Sequence, residues 1–145
     1  MCSPISVEEL PARPEPERDT AEAALLAEQC VARLKQNPDD VPAREALARL
    51  FAERLGQVDQ ALEQIDLLLG MPDREPEKMV EWLSQKAAWH LRYRRDPGAA
   101  RQVLEQLIHE HPQTPQAFDA QKRILLMDVE QRLRRAGRGR TQESP

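Results

Sequence analysis

The chain has 145 residues, enough for one domain with a modest core, and a formal net charge of −4 that points to neither nucleic acid nor a membrane surface. Hydrophobic residues make up 40% of it, but aromatics only 3%. Ala, Leu, Glu, Gln and Arg dominate, which favours helix, and the scarcity of β-branched and aromatic residues argues against strands.

Residues 1–18 carry Pro4, Pro11, Pro14 and Pro16 among Glu8, Glu9, Glu15 and Glu17, and read as a disordered Pro- and acid-rich leader. The start lacks the basic and apolar regions of a signal peptide, and no apolar run reaches the ~18–20 residues that span a bilayer. The only cysteines are Cys2 and Cys30. One lies in the leader and the other on a helical stripe, so no disulfide is expected. A reducing compartment fits, and a cytoplasmic location is the expectation.

A helical domain is predicted over residues 19–136. The first helix begins near Asp19 or Thr20 as cap, with Leu26, Cys30, Val31 and Leu34 as its apolar positions, and Asn37-Pro38 ends it. The second follows Pro42, with Leu47, Leu50, Phe51 and Leu55 as its stripe, and Gly56 closes it. The third carries Ala61, Leu62, Ile65, Leu68 and Leu69 up to Gly70 and Pro72. The fourth is MVEWLSQKAAWHLRYRR, and Asp96-Pro97-Gly98 turns the chain into a fifth that stops at Pro112. The sixth starts at PQAFDAQ and carries Phe118, Ile124, Leu125, Leu126, Val129 and Leu133. Residues 137–145 read as a disordered basic tail, for which solvation is the expected state. Six helices with short connections pack as antiparallel hairpins, the second with the third and the fourth with the fifth.

The spacing of small residues is informative. Ala88 lies twelve residues before Ala100, Leu104 four after it, and Pro112 twelve after it. A small residue on each helix lets the two approach where they cross. In the earlier hairpin Leu47, Ala48 and Phe51 are followed by Ala61 and Ile65, and Ala61 lies 39 residues before Ala100. These residues resemble the tetratricopeptide repeat, in which a W-x2-L-G-x2-Y helix is followed by an A-x3-F helix and a proline, at a period of about 34. Leu47, Ala48, Phe51, Ala61 and Ile65 stand at the leucine, glycine, tyrosine, alanine and phenylalanine places; Arg44 replaces the tryptophan, and one extra residue precedes Gly56. In the later hairpin Ala88, Leu91, Ala100, Leu104 and Pro112 match, with Trp82 two residues out of register. The resemblance covers roughly residues 20–136 and implies an all-α, right-handed α-solenoid of about six helices in three hairpins. An ordinary six-helix bundle would use the same stripes. The junction HPQTPQAFDAQKRI is similar to repeat junctions of bacterial envelope proteins of this class. It implies an envelope-associated location if the chain belongs to a longer, membrane-anchored protein.

Little in the sequence suggests chemistry. His109 and His111 are two apart and point to different sides of a helix, so no metal site is expected from them. Ser84 is the only serine in the folded middle, and no glycine-rich phosphate loop occurs. No enzyme activity, cofactor or small-molecule substrate is expected, and nucleic acid is not an expected partner. Trp82 and Trp89 read as core, and the cluster Arg92, Arg94, Arg95 and Arg101 as a solvated rim. What the resemblance implies is a protein–protein interaction module, an adaptor or assembly scaffold, that binds a protein or peptide on a concave face. The residues placed there are Arg44, Glu45 and Arg49 of the second helix and Gln85, Lys86 and Arg92 of the fourth. The alternative is structural: a self-association module, homo-oligomeric through its C-terminal helix, or a fragment of a larger multidomain bacterial protein. An exposed apolar stripe on the sixth helix would mark that interface.

Overall fold

A computed structural model of the chain describes the backbone of residues 16–143 and the side chains of residues 19–137. Among the described residues the fold is all-helical and contains no strand. The helices are α1 (Pro16–Gln36), α2 (Val41–Arg49), α3 (Val58–Leu69), α4 (Pro76–Arg92), α5 (Pro97–Glu110) and α6 (Pro115–Glu143). No helix among the described residues is long and apolar enough to cross a membrane. The chain divides between Leu68 and Leu69 into two compact units, where the sequence suggests a single repeat domain.

In the first unit α1 packs against α2 and against the wide turn that follows it. Helix α1 starts at Pro16 rather than at Asp19, so residues 16–18 of the expected leader are helical, and residues 1–15 lie outside the described residues. Asp19 therefore stands inside the first turn rather than at a cap, and its carboxylate pairs with Arg54. The inner face of α1 also differs from the expected one. Ala23, Ala27 and Cys30 are buried, while Leu26 and Val31 are exposed. Positions 23, 27, 30 and 34 follow helical spacing, and small side chains there permit close approach to Leu47. At the end of α1, Asp40 accepts a bond from the Ala43 N–H at 3.1 Å and holds the Arg33 guanidinium at 3.1 and 3.2 Å. One carboxylate thus caps α2 and ties it to α1.

Helix α2 opens into a wider turn over Leu50–Arg54. There Leu55 donates to the Leu50 carbonyl at 2.9 Å, five residues back instead of four. Gly56 ends it at φ 65, which glycine reaches without a Cβ penalty.

The second unit runs α4, α5, α6, each packed on the next. Its core joins Val80, Leu83 and Ala87 of α4, Val103, Leu104 and Leu107 of α5, and Ala120 of α6, with half-buried Ile108, Ile124 and Met127 around them. The sequence places Ala88 at the helix crossing, but Ala88 is exposed and Ala87 fills that place at 2% exposure. Ala87 lies four residues from Leu83 and seven from Val80, so it shares their face, and Ala88 is turned a further ~100° away. Ala100 is fully buried, as expected. Asp96 caps α5 by accepting from Ala99 N–H at 3.0 Å, and Thr114 caps α6 by accepting from Ala117 N–H at 3.1 Å. Helix α6 continues to Glu143, so the backbone is helical through most of the expected tail.

Candidate functional site

The residues expected to bind a partner fall on two helices of two different units. Arg44, Glu45 and Arg49 lie on α2 in the first, and Gln85, Lys86 and Arg92 lie on α4 in the second. Arg44 is half-buried and committed to the fold: it donates to the Gln64 side chain of α3 at 2.8 Å and to the Pro38 carbonyl at 3.1 Å. Glu45, Arg49 and Lys86 are each engaged with a neighbour, and Gln85 is half-buried. Arg92 is exposed and lies over the Tyr93 ring, 5.5 Å from its centroid. Trp82 and Trp89 are buried, at 2% and 3% exposure, and so present no ring to a partner.

The arginine cluster resolves into separate roles. Arg101 bridges α5 to α6: it pairs with Asp128, including a 3.3 Å bond from Nη2, and its Nε donates to Glu105 at 3.1 Å. The Arg101 hydrogen bond holds the Asp128 carboxyl below its ordinary range, with Arg132 adding to the effect. Arg95 has left-handed backbone at φ 50 and, with Arg134 and Glu130, edges a cleft of about 630 Å³ floored by Leu91 and Met127. Arg101 is already neutralised there, so the cleft offers only two solvent-exposed guanidiniums beside one carboxylate. This is little excess charge to hold an anion against water.

Groups that could react are few. Cys30 is a free, buried thiol, and desolvation pushes its pKa up, away from the nucleophilic thiolate. No group of three or more His, Cys, Asp or Glu side chains among the described residues could hold a metal.

The most prominent surface feature is on α6. Ala117, Ala120, Ile124 and Met127 turn one face inward. Phe118, Leu125, Leu126, Val129 and Leu133 stand on roughly the opposite face at 47–67% exposure. Helix α6 thus has two apolar faces, one covered and one open. Ile124 is the one residue of the expected exposed stripe that goes inside, because it lies four residues from Ala120 on the inner row. Compared with known protein families, curated proteins and solved structures, the chain matches none.

Proposed function

We propose that this chain is a non-enzymatic protein–protein interaction module, built on degenerate tetratricopeptide-like hairpins, that binds a protein through the outer face of α6. The observation that carries this reading is the run of five large apolar side chains left open on a helix whose opposite face is already packed. Solvent around such a stripe is released when a partner covers it, and contiguous patches of this kind mark interaction sites. The repeat part of the reading draws support from four residues at repeat positions of α2 and α3, Leu47, Ala48, Ala61 and Ile65, which are all buried. The wide turn at Leu50–Arg54 lies where the sequence carries one residue more than the repeat spacing, and a turn of that width takes up one residue. The exposed Ala88 is a departure from that pattern.

The polar residues of α2 and α4 rank behind α6 as a binding surface, because Arg44 spends its guanidinium on Gln64 and Pro38. The test is a Leu126→Glu/Leu133→Glu chain compared with wild type by circular dichroism and by affinity capture. Both side chains are exposed, so the helical signal should be unchanged. Losing two buried leucines from an interface costs about 3 kcal/mol or more, roughly a hundredfold in affinity. Every complex the wild type forms, with itself or with another protein, should weaken by at least that factor. A folded double variant that keeps its complexes would sink the proposal.

A further inference from the structure

We infer that the occupant of the outer face of α6 is a second copy of this chain, paired antiparallel through the same helix. This rests on the reading of that face as the interaction surface and names what covers it. Area is the first argument. The five exposed apolar side chains offer roughly 500 Å² per copy, so two copies cover about 1,000 Å², the lower limit for a specific interface. A self-complementary patch needs no second surface to be supplied, because a two-fold axis presents it twice.

The order of residues along α6 fits this pairing. Leu126 and Leu133 form one row, and Lys122, Val129 and Ala136 form the row beside it, each at sevenfold spacing. About a two-fold axis near Met127, Leu126 meets the partner's Val129, and Leu133 lies along the aliphatic stem of the partner's Lys122. Arg123 and Glu130 are exposed and border one edge of the stripe; Phe118 and Leu125 border the other. In an antiparallel pair each edge meets its own copy reversed, so Arg123 faces the partner's Glu130 and Glu130 the partner's Arg123. In a parallel pair the two edges meet each other, and Arg123 and Glu130 would be desolvated against the partner's Phe118 and Leu125. The antiparallel pair also separates the two copies of the basic stretch Arg132, Arg134 and Arg135, which a parallel pair would set side by side. Antiparallel helix dipoles add attraction in the same sense.

The test is sedimentation equilibrium of the full chain between about 1 and 300 µM. Wild type should approach the dimer mass, and Leu126→Glu should stay monomeric with an unchanged helical signal. Arg123→Glu and Glu130→Arg should each raise the dissociation constant about tenfold, and the double swap Arg123→Glu/Glu130→Arg should return it to near wild type. A chain that is monomeric at the highest concentration overturns the inference. If the Leu126→Glu/Leu133→Glu variant then still loses a heterologous partner, self-pairing fails while the interaction reading stands. A dimer indifferent to Leu126→Glu overturns it as well. A dimer that Leu126→Glu dissolves, but that the charge swap fails to restore, overturns the antiparallel register.

Discussion

Asp40 and Asp96 do the same work at equivalent places, each accepting the N–H of an alanine three residues on, beside a proline in the first helical turn. The breaks at Asn37-Pro38 and Asp96-Pro97-Gly98 were legible from the sequence because such residues signal ends by local chemistry alone. The start of α1 was not, since Asp19 has the chemistry of a cap but spends its carboxylate on Arg54, 35 positions away. The pairing of Asp128 with Arg101 was invisible for the same reason: it spans 27 positions. That pairing has a consequence in acid. The folded protein holds the Asp128 carboxyl below its unfolded value, so it favours the ionised, folded form above the ordinary carboxylate pKa of ~3.9. The contribution is lost as pH falls through the depressed folded value. Asp128→Asn should therefore be less stable than wild type at neutral pH, and the gap should shrink near pH 2, by urea midpoints. An equal gap at both pH values would show that the pair stabilises through packing rather than charge.

At the scale of the helix, the spacing of Leu104 from Ala100 marks the inner face of α5, where Leu104 is buried together with Val103 and Leu107. Reading alanines by spacing placed Ala48, Ala61 and Ala100 inside but failed at Ala88. Alanine carries too little apolar area to mark a face, so Ala87 and Ala88 were equivalent in the sequence although only one faces the core. The same ambiguity hid Ala23 and Ala27, while Leu26 and Val31, which looked like better core residues, are exposed. Close helix packing reverses the usual ranking, since a methyl group admits the neighbouring helix and an isobutyl group holds it off. Leucine substitutions separate the two cases. Ala87→Leu should overpack the core and cost about 1–3 kcal/mol, whereas Ala88→Leu should stay within about 0.5 kcal/mol of wild type. Thermal melts of the two variants decide it, and a reversed order would put Ala88 at the crossing.

For the whole molecule, the candidate site was legible in part. The apolar run of α6 stood out, but a run of apolar residues does not say which of them a neighbouring helix will cover. Packing divided it: Ile124 and Met127 went to the core with Ala120, and Phe118, Leu125, Leu126, Val129 and Leu133 were left outside. The six polar residues expected on a concave face belong to two units, and one of them, Arg44, has its guanidinium committed within its own. The large apolar side chains that α6 leaves exposed are therefore the surface on which the proposed binding is placed. If a second copy covers that surface, folding and pairing are linked by mass action, because the folded chain pairs and the unfolded chain does not. Each tenfold rise in concentration above the dissociation constant then adds about 0.7 kcal/mol per chain, half of the ~1.4 kcal/mol by which the dimer as a whole gains. For a chain of this size that is a rise of about 2–3 °C in Tm per decade. Melts of wild type at about 5 and 500 µM should differ by some 4–6 °C, while those of Leu126→Glu should coincide. Equal shifts in both chains would assign the concentration dependence to some surface other than α6.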